Sequence, residues 1–169
     1  MFNLTYRYAI QSDTPALFSL INSAYRGDSA RGGWTHEADL VDGLRVTIPE
    51  LETIISTPDQ YFLLVFSAKD LVGCVHLIFV ADEVQINMLT IHPEWQNKKI
   101  GAGLFGEIER LARQDQKAFL RLSVIHTRKE LISYYERKGF VLTGEKEEFP
   151  SQYPAKIQGL LLLEMKKTL

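Results

Sequence analysis

Residues 89–110 read LTIHPEWQNKKIGAGLFGEIER, and the rest of the chain is read outward from them. Leu89, Thr90 and Ile91 close an apolar run that begins at Val84, the pattern of a buried strand. Further on, Leu104, Phe105, Ile108, Leu111 and Ala112 recur at the spacing of one helix face. Between them lies a basic, glycine-containing turn: Gln96, Asn97, Lys98, Lys99, Ile100, Gly101, Ala102 and Gly103. A helix N-terminus offers unbonded backbone N–H groups and a partial positive charge. Glycine lets a bulky anion approach the backbone, and the two lysines add formal charge. Strand, basic turn and helix together suit a pyrophosphate. On these features alone, an ordinary strand-to-helix connection explains them as well.

Upstream, residues 4–9 alternate in polarity and predict a strand. Ser12-Asp13-Thr14-Pro15 has capping residues followed by proline, a helix start. Ala16, Leu17, Leu20, Ile21, Ala24 and Tyr25 give that helix its apolar face. Residues 26–34 form a glycine-rich polar loop, and residues 37–56 predict a helix or helix pair broken near Gly43 and Pro49. Three apolar runs, 61–68, 71–80 and 84–91, predict an antiparallel meander. Downstream, residues 119–124 predict a strand. Leu131, Ile132 and Tyr135 mark a helix ended by Gly139, and 140–143 and 160–165 predict the last strands. The order β-α-α-β-β-β-α-β-α-β-β predicts a mixed α/β (α+β) sheet, mainly antiparallel and of about seven strands, with helices on both faces.

The 169 residues, 46% hydrophobic and 24% charged, suit one globular domain spanning 1–169. A net charge of −2 gives no general reason to bind nucleic acid or an anionic membrane. No apolar run approaches the roughly 20 residues that span a bilayer. The N-terminal MFNLTYRYAI lacks a signal peptide's apolar core. With one cysteine, Cys74, no internal disulfide forms, and a cytoplasmic setting is expected. Cys74 has no basic neighbour and reads as a buried, inert thiol. His36, His76, His92 and His126 share no ligand spacing, so no metal is expected, and His76 reads as a hydrogen-bonded core residue.

The central stretch resembles the coenzyme A signature of the GNAT N-acetyltransferases, Gln/Arg-x-x-Gly-x-Gly/Ala after an apolar-His-Pro. Ile91-His92-Pro93 matches the latter. With Gln96 as the first position, Gly101 matches the last and Lys99 replaces the first glycine. A second register starts at Lys98 and keeps Gly101 and Gly103. The Gln96 register has the usual distance from Pro93, and it places Gly103 inside the helix, where alanine is expected to stabilise. A second match follows: Tyr135-Glu136-Arg137-Lys138-Gly139-Phe140 resembles the family's Tyr-Glu-x-x-Gly-Phe helix end, with Arg128 where an asparagine commonly starts that helix.

The resemblance implies an acetyl-CoA-dependent N-acetyltransferase acting by direct attack. It implies that acetyl-CoA lies along Leu89, Thr90 and Ile91, where the strand splays from residues 119–124. An N–H near Leu89 would polarise the thioester carbonyl. The pyrophosphate would sit on Gln96 to Gly103, and Arg128 would reach a phosphate or pantetheine carbonyl. Tyr135 is then the proton donor to the leaving thiolate, with Tyr134 the alternative. Without the resemblance, Tyr135 reads as a core aromatic. Gln85 and Asn87 cannot serve as base, and Glu83 precedes the strand at a distance, which leaves water or a carboxylate from elsewhere such as Glu37. The acceptor, a small-molecule or peptide amine, is expected between residues 25–37 and 145–154. Tyr25, Asp28, Trp34, Glu37, Glu147, Glu148, Phe149 and Tyr153 there suit a cationic amine. A catalytically silent relative that senses acetyl-CoA or binds a partner is the second reading, and a homodimer is left open.

Overall fold

The computed structural model describes residues 3–26 and 36–169. Its order is β1 (Leu4–Tyr8), α1 (Thr14–Tyr25), α2 (Ile48–Ser56), β2 (Gln60–Ser67), β3 (Asp70–Val80), β4 (Glu83–Ile91), α3 (Ile100–Gln114), β5 (Phe119–Ile125), α4 (Lys129–Arg137), β6 (Val141–Glu148) and β7 (Leu161–Thr168). The seven strands form one sheet in the order β1-β2-β3-β4-β5-β7-β6. Every pairing is antiparallel except β4 with β5.

Strand alternation sorts the core into two layers. Phe62, Leu64 and Cys74 pack with Leu17, Leu20 and Ile21 of α1 and Leu51 of α2. Leu63, Val65, Val75 and Leu77 pack with Ile100, Leu104, Phe105 and Ile108 of α3 and Ile132 and Tyr135 of α4. Because β2 and β3 are covered on both faces, they read as continuous apolar runs rather than alternating ones.

Helix ends follow local chemistry. Pro15 lies in the first turn of α1. Gly139, at φ +93, closes α4: its N–H donates to the Glu136 carbonyl and that of Phe140 to the Tyr135 carbonyl. The predicted helix over 37–56 shrinks to Ile48–Ser56. Thr47 accepts from the Glu50 N–H while the Glu50 carboxylate accepts from the Thr47 N–H, a reciprocal cap that starts the helix there. Ahead of it the backbone turns at Gly43 (φ +76), and Val41 bridges to Ala155. Val41 is buried with Ile125 and Leu160. Leu40 and Val41 serve this third small cluster and Val46 the layer under α1, not one helix face. Strand β6 runs on to Glu148, past the expected 143, because Gly144 (φ +93) absorbs a register shift.

Among the described residues no helix is long and apolar enough to cross a membrane.

Candidate active site

The parallel ladder between β4 and β5 has four residue pairs, Glu83 to Ile86 against Phe119 to Leu122. Beyond Ile86 and Leu122 the strands diverge. Two features bend β4 at that point. Its register with β3 shifts between Cys74 and His76, and Met88 sits at φ +46, a bulge that turns the strand. At Gly73 a side chain would meet the Thr90 carbonyl at 2.8 Å, so glycine permits the close approach of β3 there.

Two cavities open off this gap. The first, about 290 Å³, lies between the end of β4, the N-terminus of α3 and α4. Leu89, Ile91, Gln96, Asn97, Lys99, Ile100, Gly101 and Ala102 line it, together with Tyr134, Tyr135 and Lys138. The turn is shaped by two left-handed residues, Asn97 and Lys99, both at φ +62, with Lys99 the residue immediately before α3. Gln96 donates to the Ile91 carbonyl at 3.3 Å, which ties the turn to β4. The left-handed backbone falls where the Gln96 register puts the family's first glycine, and the helix starts one residue later.

Four residues expected to hold the cofactor lie off this cavity. Lys98 holds its ammonium over the Trp95 ring at 4.7 Å. Thr90 is buried, its hydroxyl donating to the Met88 carbonyl. At Gly103 a side chain would meet the Tyr6 hydroxyl at 2.8 Å and Leu4 at 3.2 Å, so this glycine serves packing on β1, and alanine there is not the simple gain expected. Arg128 belongs to the second cavity; its guanidinium donates to Glu130 at 2.7 Å and to the His36 carbonyl at 2.6 Å. Trp95, Leu131 and Lys138 also line the first cavity, and sequence reasoning misses all three because none belongs to the turn motif.

The second cavity, about 160 Å³, lies on the other side of the gap, lined by Tyr25, Arg26, Glu37, Arg45, Asn87, Leu89, Arg128, Tyr135, Phe149 and Tyr153 among others. Tyr25, Leu89, Leu131 and Tyr135 line both cavities. Tyr25 donates to the Leu89 carbonyl at 2.6 Å, and its burial pushes the phenol pKa upward. Tyr135 is set edge-on to Phe105, Tyr134 and Phe140. Burial pushes its phenol up as well, and among the described residues its hydroxyl has no hydrogen-bond partner.

Among the described residues, carboxylates are scarce around the gap. Glu37 is held by Arg26 at 2.9 Å. Glu83 stands at the closed end of the ladder; burial works to raise its carboxyl, but Lys166 and Arg121 hold it below the usual range. Glu147 and Glu148 lie exposed on β6 and line neither cavity. Among the described residues, the charged side chains that line the second cavity are Arg26, Arg45, Arg128 and Glu37. Trp34 and Asp28 lie outside the described residues. Cys74 is fully buried, its thiol pushed up to about 12 by desolvation. His76 is buried and hydrogen-bonded to Gln60 at 2.9 Å.

Known proteins share this architecture. The PaiA N-acetyltransferase of Thermoplasma acidophilum, solved in complex with coenzyme A, superposes with a TM-score of 0.70 at 21% identity, covering 99% of both chains. The ribosomal-protein-S18-alanine N-acetyltransferase of Escherichia coli superposes at 0.72 with 12% identity, covering 98% of this chain and 93% of its own. At these identities the likeness is one of fold. A spermidine N(1)-acetyltransferase of Thermoplasma acidophilum is 31% identical over 85 residues, which cover 50% of this chain and 53% of the relative, so the match spans about half the relative's length. Residues 45–169, from Arg45 through both cavities to the C-terminal strand, match the family described as "Acetyltransferase (GNAT) domain". The turn before α3 and the gap between β4 and β5 are therefore those of a family member: the chain belongs to the GNAT acetyltransferases.

Proposed function

We propose that this protein transfers the acetyl group of acetyl-CoA to a primary amine by direct attack. The observation that carries the reading is the meeting of two cavities at Tyr25, Leu89 and Tyr135, where β4 and β5 part. One cavity has a basic turn and a helix N-terminus at its end, which fits a pyrophosphate. The parting strands fit an extended amide chain between them. Leu89, Ile91, Gln96, Asn97, Lys99, Gly101 and Ala102 would hold the cosubstrate, with Lys138 adding charge. The coenzyme A complex of a fold relative supports this choice of ligand. Bound acetyl-CoA supplies an activated acyl group, and its transfer to nitrogen releases the coenzyme A thiol.

The chain's own groups then do two things. The backbone of β4 at Leu89 orients the acyl carbonyl. Tyr135 holds a proton at its hydroxyl and delivers it to the departing sulfur. With Glu37 engaged by Arg26 and Glu83 at the ladder's closed end, water in the second cavity takes the amine's proton.

A panel of primary amines with acetyl-CoA, followed by thiol detection, tests the reading. Turnover should appear with at least one amine. Tyr135→Phe should lower kcat by about 10²–10⁴-fold with the Kd for acetyl-CoA unchanged. Tight acetyl-CoA binding without turnover across the panel would favour the silent sensor, and wild-type kcat in Tyr135→Phe at all pH values would move the acid role to Tyr134 or water.

A further inference from the structure

Among the described residues, the second cavity gathers Arg26, Arg45 and Arg128 against one carboxylate, Glu37. Two of the three guanidiniums are engaged by the protein. Arg26 donates to Glu37 at 2.9 Å and to the Asp42 carbonyl at 3.1 Å. Arg128 donates to Glu130 and to the His36 carbonyl. Arg45 differs. It is half-buried, and among the described residues its guanidinium has neither a hydrogen-bond acceptor nor a carboxylate. Its neighbours are rings: the Tyr25 and Tyr153 centroids each lie 5.6 Å from it.

Ring faces attract the cation but satisfy none of its five N–H donors. A guanidinium in that state matches a planar oxyanion, which accepts two parallel N–H bonds from it. The place is also right. The same Tyr25 side chain donates from its hydroxyl to the Leu89 carbonyl at 2.6 Å, so one residue touches both Arg45 and the strand end at which the acyl carbonyl is placed. The cavity's volume of about 160 Å³ limits the occupant to something small.

We propose that the acceptor carries its own carboxylate, bound by Arg45, and that the substrate class is small amino acids rather than polyamines. The proposal rests on the acetyl-transfer reading of the site. A polyamine would bring its charges against Arg45, whose charge no described carboxylate offsets, a like-charge penalty that works against it.

Matched pairs test this: amino acids against their primary amides, and β-alanine against propylamine, with spermidine added, all with acetyl-CoA and thiol detection. The carboxylate member of each pair should have at least tenfold higher kcat/KM. Arg45→Gln should collapse that ratio through KM, with the Kd for acetyl-CoA unchanged, and Arg45→Lys should restore part of it. A wild-type preference for amides or spermidine, or an unchanged ratio in Arg45→Gln, overturns the proposal. Calorimetry with N-acetyl amino acids and their amides probes the same site without turnover. The acids should bind and lose at least tenfold in Arg45→Gln; acids that fail to bind, or that bind no better than the amides, overturn it. If the acids bind through Arg45 while no amine is acetylated, the anion site stands and the transfer reading falls. Acetylation confined to uncharged or polycationic amines does the opposite: transfer stands and the anion site falls.

Discussion

Lys99 carries the backbone that closes the cofactor turn. Its φ of 62 and ψ of 10 lie in the left-handed region, where a side chain costs about 1 kcal/mol relative to glycine. No side-chain cap at this position offsets the strain. Lys99→Gly should therefore raise stability by about 0.5–1 kcal/mol, less what glycine adds to the unfolded chain's freedom. Urea midpoints measure this, and a lowered midpoint would mean that the lysine stem's contacts outweigh its backbone. This position is legible in the sequence because the motif covers a short stretch whose residues act through one turn. Arg45 is not. Its neighbours Tyr25 and Tyr153 come from opposite ends of the chain, and no spacing announces a guanidinium that only folding surrounds with rings. Arg128 lines the second cavity rather than the first, which sequence does not announce for a related reason: it gives the helix that Arg128 precedes but not the side of the gap it lines.

Among the elements, α3 shows how far periodicity goes. Its apolar stripe is plain in the sequence, and so is its start. What periodicity omits is which glycine touches a neighbour. Gly106 has nothing within 4 Å of where a side chain would begin, whereas at Gly103 the Tyr6 hydroxyl stands 2.8 Å away. Gly106→Ala should gain about 1 kcal/mol from helix propensity. Gly103→Ala should gain nothing until Tyr6→Phe removes the obstructing oxygen. Thermal unfolding of the three variants decides this, and equal gains at 103 and 106 would show that the Tyr6 ring moves aside freely. The segment before α2 misleads for the complementary reason. Ala38 and Val41 are buried and spaced like a helix face, yet they pack as a turn held by a bridge to Ala155. Burial without periodic continuation is ambiguous in sequence.

At the scale of the molecule, the β2-β3-β4 meander and the two helix layers follow from element order and from runs too apolar to face water, whereas the place of β7 between β5 and β6 is announced by neither. The fold's acid response depends on what one layer encloses. His76, stacked on Phe62 at 5.1 Å, is pushed down to about 4 by desolvation and by the charge of Arg45, from an ordinary value near 6.5. Above pH 6.5 it is neutral in both states. Between there and about 4 the unfolded chain binds a proton that the fold refuses, so stability falls as pH falls, by up to about 3 kcal/mol, and levels off below. Urea midpoints at pH 7, 6 and 5 should drop less steeply in His76→Gln, and parallel slopes would remove His76 from the account. The sheet containing His76 is also a mechanical object. Four residue pairs join its four-strand half to its three-strand half. At the closed end, Glu83 grips Arg121 at 2.7 Å and Lys166 at 3.2 Å, while Arg121 grips Glu164 at 3.0 Å. Such an arrangement behaves as a clip with a riveted heel. Force that spreads the jaws parts Ile86 from Leu122 first and works down the ladder, reaching the ionic rivet at Glu83 last.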